Sequence, residues 1–504
     1  MINVLLWLPF AAGLLACFAP RRLAGWIAAL GALGALGMAI GLVADLDPDG
    51  GLQHVVDESW IPDLGVSYQL GVDGISVFLI LLAAALWFAA TTWSAIRTPE
   101  RPKTFFLMLG LAESATLGAF MAQDLLLFVL FFDLMLIPFY FLFGSWGQDA
   151  EEIEGGPGPV TARAATIKMI VYTLVGSLLM LVGAIATAIL TSEETGAELS
   201  FSISELAASP LGEGSQDWIF WFFAAAFLVK MPAFLVHGWM PDAYRVAPLP
   251  VLAVFTAVLS KVGAYGFLRV VLPIFPDATI RFQEVLMLLA LASILYGSVM
   301  AFTQTNARLI AGYSSVAQLG FITLGIFTLR PDGADGAVLQ MVNHGLVVAP
   351  LLLIMVILVE RAGTEDIARM GGIALRAPVL AAMFLIVTMA LLAIPGSANF
   401  IGELYILFGA FETKIAIAIV ASLAVAMAGY YALRLFQHAM HNRLPGGVES
   451  REVPWREGAI VGALVACIVA LALYPQLILE RADDSVEGQL SAAGEVREQE
   501  IARR

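Results

Sequence analysis

Long apolar runs separated by short polar turns dominate this chain. Runs such as Leu125 to Phe132 are apolar on every face, which fits neither a half-solvated helix nor the alternating pattern of a membrane β-barrel strand. One helical crossing of the hydrocarbon needs about 20 residues, and on that measure the pattern predicts about fourteen crossings. They begin near Ile2, Trp26, Ser76, Phe105, Leu125, Ala165, Trp218, Leu249, Val285, Leu309, Ala337, Pro378, Lys414 and Gly458. The expected fold class is an all-α integral membrane protein. The first run, Ile2 to Phe18, has no basic stretch before it and no small-residue cleavage site after it, so it reads as a retained span.

Composition agrees, with 60% apolar residues, 13% charged residues and a mean hydropathy of +0.87. The net charge of −15 arises mainly from outer loops and from an acidic tail after Glu480, which read as solvated surface. The stretches from Asp45 to Asp73 and from Ser192 to Asp217 are rich in carboxylates and contain no Lys or Arg. Basic residues such as Arg97, Arg101, Arg163, Arg245, Arg308, Arg369 and Arg443 fall in the alternate loops, which puts those loops in the cytoplasm and both termini outside. No basic footprint for nucleic acid exists. The two cysteines, Cys17 and Cys467, lie in separate spans and cannot form a four-cysteine iron–sulfur site, and the five histidines form no evident metal set. No cofactor or metal is expected on this chain, so linked redox chemistry belongs to other chains.

Candidate chemistry lies in ionisable residues placed inside apolar runs: Lys230, Lys261, Asp133, His344 and Glu403, with Glu113 beside them. An unpaired charge at membrane depth costs about 3 kcal/mol or more, so such residues default to functional candidates. A lysine in apolar surroundings loses preference for its charged form and a nearby carboxylate restores it, so changing the carboxylate's charge can make the lysine hold or release a proton. A static helix–helix pair is the competing reading for any single Lys–carboxylate contact, a packed neutral imidazole for His344, and a structural role for Glu113. Several such residues on separate helices favour proton movement.

Backbone breakers stand beside two of them. Pro232 removes a helical donor next to Lys230, and Ile394-Pro395-Gly396-Ser397 interrupts the helix leading to Glu403. Irregular backbone at membrane depth survives where it is buried in protein or lines a wet path, and paired interruptions mark internally repeated transporters. Ordinary proline kinks are the alternative, and Pro138 after Asp133 reads as one.

The segment Lys230-Met-Pro-Ala-Phe-Leu-Val-His237-Gly-Trp239-Met-Pro241-Asp242-Ala243, followed by Ala247-Pro248 and Leu259-Ser-Lys261-Val-Gly263-Ala-Tyr265-Gly266, resembles the proton-translocating antiporter-like membrane subunits of respiratory complex I, the NADH:quinone oxidoreductase. Gln304-Thr305-Asn306, Tyr313-Ser314-Ser315-Val316, Asn343-His344-Gly345 and Phe400-Ile-Gly402-Glu403 carry the resemblance through the second half. A carboxylate at position 403 matches one branch of that family, its sister subunits usually carrying lysine there.

The resemblance implies two inverted five-helix repeats, helices four to eight and nine to thirteen, with helices 7 and 12 discontinuous. It divides the chain into 1–100 (three N-terminal helices with an acidic outer loop), 101–272 (first half-channel), 283–437 (second half-channel) and 438–504 (last helix and acidic tail). It pairs Asp133 with Lys230, makes Lys261 the connecting relay, His344 a central relay and Glu403 the terminal carrier, with His237, Gln318 and Glu113 as secondary candidates. NADH, FMN, iron–sulfur clusters and quinone are then expected on partner subunits, and the partners are the other membrane-arm subunits, a peripheral redox arm reached indirectly, and the lipid of a bacterial inner membrane.

Two departures bear on this. Asp133 stands where the family generally has glutamate, and Gln318 where that branch commonly has histidine. A glutamine orients water but does not titrate. A subunit of an Mrp-type cation/proton antiporter or of a membrane-bound hydrogenase arm is the alternative, and a non-pumping spacer of the arm is a third, against which the full ionisable row argues.

Overall fold

A computed structural model describes the backbone of residues 1–153 and 157–503, with side chains described to residue 498. Among the described residues, 11 helices are long and apolar enough to cross a membrane. They are α2 (Arg21–Asp45), α3 (Ser76–Arg97), α4 (Pro102–Met121), α5 (Leu125–Trp146), α6 (Ala162–Thr195), α8 (Leu249–Ile274), α9 (Pro276–Thr303), α10 (Ala307–Phe327), α11 (Pro331–Ala362), α13 (Ile415–Met440) and α14 (Trp455–Leu473). α1 (Ile2–Phe18) is apolar but shorter. Two further segments are broken in the middle: α7a (Glu213–Lys230) with α7b (Met240–Val246), and α12a (Pro378–Leu391) with α12b (Ala398–Thr413). Each apolar run in the sequence is thus helical, although the ends differ from hydropathy by up to nine residues. α9 begins at Pro276 rather than near Val285, because proline suits the first helical turn and the helix continues beyond the apolar stretch.

The interior consists of α8, α10 and α11, whose apolar windows are 100%, 100% and 94% buried. α2, α13 and α14 bury 39%, 39% and 28% of theirs, which leaves their outer faces to lipid. α8 contains two π-helical stretches, Phe255–Leu259 and Phe267–Val271, flanking Ser260–Gly266. π segments are rare and tend to occur where function demands them.

Within α4 to α8 and within α9 to α13 the broken span is fourth of five. The first set starts at the end bearing the basic loops and the second at the opposite end, an arrangement consistent with the expected inverted repeats.

Two features depart from expectation. Gln53–Ile61 and Val66–Val72 form an antiparallel hairpin, β1 and β2, in the acidic loop. A 3-10 turn, Pro62–Leu64, ends on Gly65 at φ 64°, a left-handed conformation that glycine adopts without strain. The hairpin seats on the α4–α5 turn, where Ser67 N–H donates to Asp124 Oδ2 at 3.0 Å and Gln123 N–H to the Gln69 carbonyl at 2.9 Å. The acidic tail, expected as solvated surface, is helical (α15, Gln476–Arg503) and docks through Ile478, Ala482, Val486 and Leu490. Arg504 and the side chains after residue 498 lie outside the described residues.

Candidate functional site

Each expected site residue sits near the middle of its helix or beside a break. Lys230 is the last residue of α7a, 5% exposed. The helix stops there because Pro232 supplies no N–H, and residues 231–239 form turns before α7b. The Lys230 ammonium donates to the Phe132 carbonyl at 3.2 Å and lies 4.3 Å from the centre of the Phe132 ring. Asp133, next to that phenylalanine, is only half-buried and makes no ion pair with Lys230 within 4.0 Å. Its Oδ1 is buried without a hydrogen-bond partner. α5 is interrupted by a turn at Met135, which separates the helical stretches Leu125–Leu134 and Leu136–Trp146 three residues before Pro138. It is thus the Phe132 carbonyl and ring, rather than the Asp133 carboxylate, that lie against the ammonium.

Lys230 also lines a cavity of ≈ 10 Å³ with Thr173, Trp239, Tyr244 and Ser260, room for about one water molecule. Ser260 joins this cavity to the next site, since its hydroxyl accepts from Lys261 Nζ at 3.4 Å. Lys261 Nζ also donates to the Thr256 carbonyl at 3.1 Å and lies 2.8 Å from His344 Nδ1. Lys261 and His344 are both 0% exposed, so this contact is fully buried between α8 and α11. A charged ammonium donates only, so opposite protonated Lys261 His344 accepts through Nδ1 and carries its hydrogen on Nε2, a tautomer assigned from the network. His344 Nε2 has no protein partner.

One turn along α11, Gln340 Nε2 donates to Gln318 Oε1 at 2.6 Å, and Gln318 Nε2 donates to Glu403 Oε1 at 2.7 Å. Gln318 of α10 therefore bridges α11 to the start of α12b with the two ends of its amide. Asn343 Nδ2 donates to the Ala398 carbonyl at 2.6 Å, across the break that Pro395 and Gly396 create. Between His344 and Glu403, buried Gln340 Oε1, Asn343 Oδ1, Ser397 Oγ and both amide atoms of Asn399 lack protein partners. Buried polar atoms are nearly always satisfied, and a row of them beside broken backbone is suited to ordered water.

The secondary candidates divide. Gln318 joins the row. His237 lies in the break after Lys230, packed on Phe234 and Tyr296, with Nδ1 buried and unpartnered, and touches none of the other site residues. Glu113 is buried in α4 with Oε1 unpartnered and is not brought into contact with the row. The sequence reading missed Ser260, Gln340, Asn343 and Asn399 as site residues, and it missed a buried ion pair between Asp73 and Arg269. Ser260 and Asn343 stand next to Lys261 and His344 in the chain, which was a usable signal; Gln340 and Asn399 become polar neighbours only through folding.

The profile of the family described as NADH:quinone oxidoreductase/Mrp antiporter, TM, matches residues 122–428. NADH-quinone oxidoreductase subunit M of Rhodobacter capsulatus is 34% identical, over 96% of this chain and 95% of that protein. Subunit M of Escherichia coli (strain K12) is 33% identical over 96% of each. A chain of respiratory complex I from Thermus thermophilus with bound NADH superposes with a TM-score of 0.87 at 29% identity, over 97% of this chain and 100% of that one. A chain of the Mrp complex from Dietzia sp. DQ12-45-1b, at 22% identity and a TM-score of 0.82 over 98% and 99%, shares the fold. A sequence that matches this profile over most of its length, and subunit M relatives from end to end, belongs to the NADH:quinone oxidoreductase/Mrp antiporter family and, within it, to the subunit M branch of NADH-quinone oxidoreductase.

Proposed function

We propose that this chain is a proton-translocating antiporter-like subunit in the membrane arm of NADH:quinone oxidoreductase, working beside other membrane subunits while NADH, FMN, iron–sulfur clusters and quinone react on partner chains. Residues 101–272 form one half-channel and 283–437 the other, with the hairpin, α15 and both termini on the outer side of a bacterial inner membrane. The observation that carries this reading is the 2.8 Å contact between Lys261 Nζ and His344 Nδ1, since it joins two proton-exchanging groups from the two halves inside the apolar core. Electron transfer elsewhere changes the charge near Asp133; Lys230 responds by releasing its proton across the Ser260 cavity to Lys261. Lys261 protonates His344 at Nδ1, and the imidazolium gives up the hydrogen on Nε2 toward Glu403, which discharges it outward. The chain makes and breaks no covalent bond other than to hydrogen. An Mrp-type cation/proton antiporter shares the fold, but the relatives matching at 33–34% identity are oxidoreductase subunits. Assembled complex carrying Lys230→Ala, reconstituted in liposomes, is expected to oxidise NADH with little proton gradient. A gradient equal to that of the unaltered complex would remove Lys230 from the path.

A further inference from the structure

Lys261, Tyr265 and Arg269 recur every four residues along α8, so a line of polar groups leads from the central relay toward the end of the molecule that carries the hairpin and α15. Arg269 lies ~12 Å from Lys261 along the axis at about 1.5 Å per residue. Its Nη2 donates to Asp73 Oδ2 at 2.5 Å and its Nε to the Tyr265 hydroxyl at 3.1 Å. The Tyr265 hydroxyl in turn donates to the Phe120 carbonyl at 3.0 Å, and Asp73 Oδ1 accepts from Ser76 N–H at 2.9 Å. Gln489 of α15 covers the remaining side, its amide oxygen reaching Arg269 Nη1 at 3.2 Å in the orientation the network favours. Arg269, Asp73 and Tyr265 are 7%, 3% and 0% exposed.

A buried ion pair contributes little net stability, so stability alone does not explain this cluster. A proton crossing a chain of hydrogen bonds needs each member to accept as well as donate. Arginine has five donors and no acceptor and does not lose its proton in proteins. The tyrosine hydroxyl beneath it is committed on both sides. We propose that the Asp73–Arg269–Tyr265 cluster is an outer seal: it closes the direct route from Lys261 to the outside, so that protons leave only sideways through His344 and Glu403. The proposal rests on the proton-translocating reading for its purpose. Removing the guanidinium would leave a hydroxyl and a carboxylate, both acceptors, along the line from Lys261, and turn a plug into a leak.

The test is passive proton permeability of liposomes containing the assembled complex, driven by an imposed pH difference without NADH or quinone. Arg269→Met is expected to raise permeability about tenfold, the order that one unit charge is worth at ~12 Å in an effective dielectric of ~20. Arg269→Lys, which keeps a donor-only cation, is expected to stay tight, and adding Asp73→Leu to Arg269→Met is expected to restore tightness by removing the acceptor. An assembled Arg269→Met complex as tight as the unaltered one overturns the proposal, as does Arg269→Lys leaking equally. Should Arg269→Met fail to assemble, Arg269→Gln retains a hydrogen bond to Asp73 without the charge, and a tight complex there overturns it too. Because the readout needs no turnover, it stands apart from the pumping assignment: Lys230→Ala is expected to stop pumping without opening this leak.

Discussion

At the scale of single residues, the second half of the row differs from the first in how its acid is held. Glu403 receives a 2.7 Å hydrogen bond from Gln318, whereas Asp133 makes no ion pair with Lys230 within 4.0 Å. A glutamine here cannot carry a proton, but it fixes the carboxylate and links it to Gln340 on α11. Replacing it tests whether that link matters. Gln318→Leu leaves a buried carboxylate oxygen without its donor, which costs about 1–3 kcal/mol. Favouring the protonated acid, it should slow discharge at Glu403 and lower the proton gradient per NADH oxidised. Gln318→His restores a donor at the same place and should retain the gradient. Equal gradients from the leucine and histidine variants would show that Gln318 is only packing.

At the scale of elements, what the sequence revealed follows what each element's physics makes visible. The breaks beside Lys230 and before Glu403 were legible because proline removes a helical donor wherever it stands. The hairpin was not. In β1 every residue from Gln53 to Ile61 stays exposed or half-exposed, so the strand shows no clean apolar alternation, and its seat on the α4–α5 turn is a tertiary contact. In α15 the spacing of Ile478, Ala482, Val486 and Leu490 was visible, four residues apart, but the density of carboxylates around it read as tail. The row itself was legible residue by residue, while its order depended on side chains that only folding brings together, such as Gln340 against Gln318. Docking of α15 turns on Gly74, whose amide donates to Ser485 Oγ at 3.1 Å and whose missing side chain makes room for the Arg481 carbonyl. A Cβ at Gly74 would collide with that backbone oxygen, and overpacking of this kind typically costs about 1–3 kcal/mol. Gly74→Ala should therefore raise hydrogen exchange across residues 476–498 by about an order of magnitude, since 1.4 kcal/mol is tenfold in an opening equilibrium. Exchange unchanged in that segment would mean that α15 is held elsewhere.

At the scale of the whole molecule, the direction of pumping depends on which end of the bundle faces the cytoplasm. Arg97, Arg245, Arg308, Arg361 and Arg443 gather at one end, with the α5–α6, α9–α10 and α13–α14 connections. The hairpin, the Asp73–Arg269 cluster and α15 gather at the other. The row is not symmetric between these ends: Lys230 precedes the break in α7 and Glu403 follows the break in α12, and because α4–α8 and α9–α13 start at opposite ends, both sit on the side of their break toward α15. On the proposed path a proton loaded from the basic end passes the break in α7 first and leaves beyond α12b, a pumping direction that matches the bias of basic loops toward the cytoplasm. Replacing Cys17 and Cys467 by serine and adding either Ser491→Cys on exposed α15 or Asn442→Cys in the loop after α13 gives a direct reading of sidedness. In intact inverted membrane vesicles, whose cytoplasmic face is outward, a membrane-impermeant maleimide should label Asn442→Cys promptly and Ser491→Cys only after the membrane is opened with detergent. The reverse order would place α15 in the cytoplasm, and with it the seal at Arg269 would stand on the side from which protons are drawn rather than the side to which they are delivered.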